Sequence, residues 1–208
     1  MVPIRENLVP KDKYAIKCPY TRTPTRVVIH NTANDAPAAN EISYMRYNDL
    51  EISFHYAVDD VNIVQGIPEN RNAWASGDGH GKGNMEGIHI EICYSKSGGE
   101  KFDKAEQNAA EFTASLLKKY GWGIDKVTKH RDYDGKYCPH RTLDRGWQRF
   151  LSMVKRYMEP AKTPVASKFT PYLIRKNCRD ALNIRKGPST NYGILGQIKD
   201  TLRYTIVE

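Results

Sequence analysis

RVVIHN (26–31) and GIHIEICY (87–94) are the two stretches on which the fold turns. The first is a short apolar run rich in β-branched residues, the pattern of a buried strand. The second alternates cleanly: Ile88, Ile90 and Ile92 face one way, and His89, Glu91 and Cys93 face the other. Working outward, FHYAVDD (54–60) and NIVQGI (62–67) read as neighbouring strands with a turn near Asp59 and Asp60. Residues 37–49 read as a helix. Asp103 can cap a helix that runs to Tyr120 and stops at Gly121. A last helix spans 144–158, with Trp147, Phe150, Leu151, Val154 and Met158 on its apolar face. WASGDGHGKGN (74–84) has four glycines in eleven residues and reads as a loop. Strand-like and helix-like segments therefore alternate, which predicts an α/β domain with a central mixed β-sheet flanked by helices.

EPAKTPVASKFTP (159–171) has three prolines and neither strand nor helix periodicity, and reads as a linker. It divides a domain at 1–158 from a small module at 172–208, within a length of 208 residues. With 39% hydrophobic and 27% charged residues the balance is that of a soluble globular chain. No stretch approaches the roughly 18 apolar residues that a membrane span requires. The N-terminus MVPIRENLVPKDKYAIKCPY carries charges and prolines where a signal peptide has an apolar core. A cytoplasmic product that needs another exit, such as lysis, is the expectation. Cys18, Cys93, Cys138 and Cys178 are widely and irregularly spaced, which argues for reduced thiols over a disulfide framework. Of the net charge of +8, residues 159–208 contribute +5 (nine Lys/Arg, four Asp/Glu). Such a tail suits an anionic partner or plain solubility. No aromatic-basic interleaving or reader motif supports nucleic acid.

VTKHRDYDGKYCPHRT (127–142) carries the chemistry. His130 follows the β-prone Val127-Thr128, and Cys138 lies eight positions later across a polar loop, just before Pro139. Two borderline-soft ligands bracketing a compact loop suit zinc. A thiolate nucleophile and its histidine base is the alternative. His30 ends a buried strand before the small polar Asn31 and Thr32, which points it to the rim of a sheet. With His130 and Cys138 it makes three protein ligands and leaves a fourth position for water, the pattern of a catalytic zinc. Zinc lowers the pKa of such a water to about 7. His55 and His89 compete as ligands; His89 shares a face with Glu91 and can instead orient a ligand. His140 is expected at the surface.

IHNTAN (29–34), SFHYAVDD (53–60), the glycine-rich loop, GIHIEICY (87–94) and HRDYDGKYCP (130–139) together resemble the N-acetylmuramoyl-L-alanine amidases of type 2. These are relatives of the peptidoglycan-recognition proteins and occur as phage endolysins and bacterial autolysins. The resemblance covers residues 5–158, and its most specific part is the His-x-Asp-x-x-x-Lys-x-Cys-Pro pattern from His130 to Pro139. It implies Zn2+ held by His30, His130 and Cys138 in a cleft. It also implies peptidoglycan as partner and hydrolysis of the amide between the lactyl group of N-acetylmuramic acid and L-alanine, so that the protein acts on the cell wall. By position, Glu91 is similar to the general base of the endolysin branch, and Lys136 to the family's lysine, which can stabilise an oxyanion. A solvated strand residue and a surface charge are the plainer alternatives. Some relatives use a tyrosine hydroxyl where this chain has Phe54, which shifts weight to Glu91; Tyr56 is then core or cleft wall. Trp74, Asn84 and the 76–84 loop are candidates for sugar or peptide contact. A recognition-type relative that binds without cutting lacks the ligand set that is present here.

Residues 172–208 resemble the first half of a bacterial SH3-like domain, on Leu182-Asn183-Ile184-Arg185, Gly187-Pro188-Ser189-Thr190, Tyr192 and Ile194-Leu195-Gly196. The resemblance implies wall binding. The 37 residues are too few for a closed small barrel and leave a strand edge open. The expectation is an incomplete all-β module that is either cut short or completed by another copy in a homo-oligomer.

Overall fold

A computed structural model describes residues 1–159, 172–175, 182–186, 189–199 and 203–206. The chain divides into two units, Met1–Ala161 and Lys162–Glu208. The first holds strands β1 (Ile4–Glu6), β2 (Arg26–Asn31), β3 (Tyr56–Val58), β4 (Ile63–Gln65), β5 (Gly87–Ile92) and β6 (Val127–Lys129). They form one mixed sheet in the order β1-β4-β3-β5-β2-β6. β3 and β4 run antiparallel, as a hairpin must, while β3, β5, β2 and β6 are parallel neighbours. Its helices are α1 (Tyr14–Lys17), α2 (Ala38–Tyr47), α3 (Lys82–Glu86), α4 (Gly99–Tyr120), α5 (Arg131–Asp134), α6 (His140–Asp144) and α7 (Trp147–Met158).

The alternation along β5 decides the layering. Ile88, Ile90 and Ile92 are buried in one core cluster with Phe102, Phe112, Leu116 and Leu117 of α4 and Phe150 and Val154 of α7. The Tyr56 ring meets Phe112 edge to face at 4.6 Å. The other face of β5 carries His89 and Glu91. Parallel register sets Glu91 beside His30 and His89 beside Val28. Because β2, β5 and β6 all run the same way, their carboxyl ends open on one edge of the sheet, where crevices form in α/β folds.

Local chemistry sets the boundaries. Gly121 adopts φ 67°, which lets its N–H turn back to the carbonyls of Leu117 and Lys118 and end α4. Asp103 is not the cap of that helix. α4 already begins at Gly99, and Asp103 sits inside it, paired to Arg145 at 2.5 Å. The helix read at 144–158 is α7, which begins three residues later at Trp147 because Gly146, with φ 100°, separates it from α6. Asp59 accepts from the Val61 and Asn62 N–H groups at 2.8 and 2.6 Å, which makes the expected turn, and also from the first N–H of α2 at 3.0 Å.

Lys17 is fully buried, unusual for a lysine. Its Nζ donates to Asn48 Oδ1 (2.7 Å) and to the carbonyls of Leu50 (2.5 Å) and Ile52 (3.2 Å), so one ammonium holds the whole loop after α2. Burial, then the neighbouring Lys13, lowers its pKa from the usual lysine value. Lys17→Met keeps the stem but leaves those acceptors unpaired. It is expected to cost about 2 kcal/mol of stability, read by denaturant unfolding.

The second unit contains β7 (Tyr172–Arg175) paired antiparallel with β10 (Arg203–Ile206), and β8 (Leu182–Arg185) paired antiparallel with β9 (Ile194–Ile198). The linker read at 159–171 lies, from residue 160 on, outside the described residues, as does Cys178. Among the described residues Cys18, Cys93 and Cys138 are free thiols. No helix among them is long and apolar enough to cross a membrane.

Candidate metal centre and cleft

The end of β6 is stitched to β2 by the His130 N–H, which donates to the Ile29 carbonyl at 3.2 Å. This sets the His130 side chain next to that of His30. The chain then loops through α5 and returns, because the Arg131 N–H donates to the Cys138 carbonyl at 3.0 Å and Gly135 takes φ 82°. Three ligand atoms from two strand ends and a loop thus converge. His30 Nδ1 lies 3.1 Å from His130 Nδ1 and 4.0 Å from Cys138 Sγ, and all three lie within 4.8 Å of one another. Tetrahedral zinc with about 2.05 Å bonds to nitrogen and about 2.3 Å to sulfur needs about 3.4 Å between nitrogens and about 3.6 Å from nitrogen to sulfur. The His30–His130 and His30–Cys138 separations come within about 0.4 Å of that, and the third pair lies within 4.8 Å, so the donor set fits zinc in chemistry and needs only side-chain adjustment to close on the ion.

The remote ring nitrogens are also engaged. Asp134 Oδ2 accepts from His130 Nε2 at 3.1 Å, which puts the proton on Nε2 and leaves Nδ1 free to ligate. His30 Nε2 lies 3.0 Å from His89 Nδ1. His89 therefore stands behind a ligand. His55 accepts the His89 N–H on Nδ1 at 3.0 Å and meets the Arg71 carbonyl through Nε2 at 2.9 Å, so it is a core histidine. Burial pushes His30 well below the ordinary histidine pKa, helped by the nearby His89, His130 and Lys136. Burial likewise lowers His130, against the pull of Asp134. Both rings are thus held neutral, the form that binds metal.

Cys138 is only 5% exposed, and burial, followed by the charge of Glu91, pushes its thiol up to about 12. A nucleophilic cysteine needs the opposite environment, electropositive and accessible. The geometry therefore favours a ligand over the thiolate nucleophile.

Glu91 lines the same cleft as His130 and Cys138, and its strand pairs it beside His30. Its Oε2 is buried and has no hydrogen-bond partner in the protein. Burial, then the charge of Glu41, raises its carboxyl to about 8, with Lys136 opposing. Lys136 is exposed on the loop before Cys138, and its charge is felt by His30, His130, Cys138 and Glu91. Phe54 is buried and lines the cleft, offering no hydroxyl there. The Tyr56 hydroxyl is spent on Glu69 at 2.5 Å, which makes Tyr56 core and not cleft. His140 is not at the surface: it is half-buried, with Nε2 3.2 Å from the Ser95 carbonyl. Asn84 is structural, accepting the Ala75 and Ser76 N–H groups at 2.9 and 2.8 Å. The cleft is open, with a volume of about 1290 Å³, and Tyr20, Trp74 and His80 cluster edge to face on its rim. Asp134 and Glu41 were not singled out in the sequence. Asp134 could have been found from its place four residues after His130.

Comparison with known families bears directly on this site. The family model described as N-acetylmuramoyl-L-alanine amidase matches residues 20–141, a span that includes every residue of the trio together with Glu91 and Lys136. The chain belongs to this amidase family. It is 50% identical over 181 residues to the N-acetylmuramoyl-L-alanine amidase XlyB of Bacillus subtilis (strain 168), covering 84% of this chain and 57% of XlyB. Against the N-acetylmuramoyl-L-alanine amidase CwlA of the same organism, identity is 58% over 146 residues, covering 70% of this chain and 54% of CwlA. The chain thus spans a little over half the length of these two amidases. The solved structure of PlyL superposes with a TM-score of 0.71 at 53% identity, covering 73% of this chain and 96% of that one. The mixed α/β sheet is therefore the amidase fold of known structures.

Proposed function

We propose that the chain hydrolyses the amide between the lactyl group of N-acetylmuramic acid and L-alanine in peptidoglycan, with zinc held by His30, His130 and Cys138. The observation that carries this reading is the convergence of two neutral histidine nitrogens and one buried sulfur beside an unpartnered carboxylate oxygen, inside an open cleft. Zinc bound there supplies Lewis-acid activation of water and of the scissile carbonyl. Glu91 acts as general base and then general acid: its free Oε2 takes a proton from the attacking water and passes one to the departing amine. Lys136 adds a positive charge at the cleft mouth, where negative charge develops on the carbonyl oxygen. Asp134 and His89 orient the two histidines. With Phe54 at the position of a potential tyrosine, no second hydroxyl donor comes from that strand.

The second unit is assigned as an SH3-like wall-binding module. Its two antiparallel strand pairs and the basic excess of residues 159–208 support this. The reading places the protein's action on the cell wall.

The deciding experiment is digestion of purified cell walls. New free amino groups on L-alanine without new reducing sugars are expected. New reducing ends would identify a glycosidase and overturn the assignment.

A further inference from the structure

We propose that Tyr44, Tyr47, Leu50 and Ile52 form a platform that binds the glycan strand flanking the scissile amide; this rests on the amidase reading above. These side chains are 65%, 77%, 50% and 56% exposed, the densest run of exposed large apolar residues in the first unit among those described. A contiguous exposed apolar patch beside a cleft marks a binding surface more often than chance exposure does. Tyr44 and Tyr47 are three residues apart on α2 and share a face. Leu50 and Ile52 come from the loop that follows.

That loop is built rather than loose. Buried Lys17 spends three donor contacts on Asn48, Leu50 and Ile52. Lys13 Nζ adds the Tyr47 and Asn48 carbonyls at 3.2 and 3.3 Å and Asp49 at 3.0 Å. The Asn48 side chain ties the Tyr44 carbonyl to the Leu50 N–H at 2.7 and 3.0 Å. The fold thus uses a buried ammonium to hold apolar groups outward, the pre-organisation that lowers the entropic cost of binding.

The occupant follows from continuity. Tyr44 and Ile52 line the same cleft as Glu91, His130 and Cys138. The amide to be cut hangs from a sugar within a polymer, so a cleft that seats the amide must lead onto a surface that seats that sugar and its neighbours. A pyranose presents a flat C–H face and uncharged hydroxyl and acetamido groups. Tyrosine rings suit the first, and the amide of Asn40, which lines the same cleft, suits the second. Lys136 also lines the cleft, and its cation suits the carboxylate-bearing peptide instead.

The test uses the full chain and a peptide-free N-acetylglucosamine–N-acetylmuramic acid oligosaccharide, with binding followed by calorimetry. Saturable binding is expected, weakened about ten-fold or more in Tyr44→Ala/Tyr47→Ala. Tyr47→Ala alone, at the most exposed position, is expected to weaken it in the same direction and guards against a folding defect in the double variant. No saturable binding by the wild-type chain, or unchanged affinity in both variants, overturns the platform. So does a concentration-dependent dimer, seen by sedimentation, that the variants abolish, because the patch is then an interface between copies. The amine-release assay on walls reads the amidase separately: a chain that releases L-alanine amines yet ignores the oligosaccharide loses the platform alone. One that binds the oligosaccharide but releases no amines loses the amidase assignment.

Discussion

Cys138→Ala and His130→Ala are each expected to lose bound zinc and, with it, amide hydrolysis. Each variant removes one of three ligand atoms gathered within 4.8 Å of one another, and no other histidine or cysteine among the described residues is placed to substitute. His89 and His55 already spend Nδ1 on His30 and on the His89 N–H. Lewis-acid stabilisation of developing charge is worth several kcal/mol, so the loss of activity is expected to be about 10³-fold or more. Metal content by elemental analysis is the first readout, and wall digestion the second. Asp134→Asn, whose remaining oxygen can still accept the Lys136 N–H but which changes the charged partner behind His130, is expected to weaken metal affinity about 10- to 100-fold while leaving the ligands in place. A thiol nucleophile predicts a different pattern. Wild-type activity would then survive thorough chelation and fall to a thiol alkylator, and that result would sink the zinc assignment.

The layering of the fold was legible because it rests on side-chain periodicity. Isoleucines at every second position of 87–92 signal one face on a core, and the burial of Ile88, Ile90 and Ile92 in one cluster with residues of α4 and α7 is that face. The meeting of His30 with the 130–138 loop was legible from residue type but not from distance, since the contact is set by β2 and β6 lying side by side in the sheet. Other features carry no local signal. β1 is an exposed Ile-Arg-Glu added to the sheet edge purely by pairing with β4, without any burial pattern to betray it. Asp103 looked like a helix cap, but Arg145, distant in sequence, claims its carboxylate, and the helix begins earlier at a glycine. Gly146, with φ 100°, sets the start of α7 at Trp147, a boundary that the apolar spacing of 147–158 does not reveal. Lys17 reads as one more surface lysine until the acceptors of the 48–52 loop close around it.

Glu91→Gln is expected to keep zinc at the wild-type level and lose about 10²- to 10⁴-fold in turnover, the range of a positioned general acid–base group. The substitution preserves shape and removes only the basic oxygen, so an intact metal site with collapsed turnover separates proton transfer from metal binding. Wild-type-like cleavage would remove Glu91 from the mechanism and leave Lys136 and the metal ligands to account for it. A second consequence is independent of activity. In the metal-free protein burial, reinforced by Glu41, raises the Glu91 carboxyl from 4.5 to about 8. A raised pKa in the folded state means that this group's contribution to stability is intact below 4.5 and is lost as pH rises through about 8. Metal-free Glu91→Gln is therefore expected to show a shallower fall in stability across that window than the metal-free wild type, measured by denaturant unfolding at a series of pH values. A cation among the neighbouring ligands opposes the shift by Coulomb attraction, so the difference between the two proteins should shrink when zinc is restored. Identical pH profiles with and without the carboxylate would show that Glu91 is solvated in the cleft, and a solvated carboxylate lacks the desolvation that makes it a strong base beside the trio.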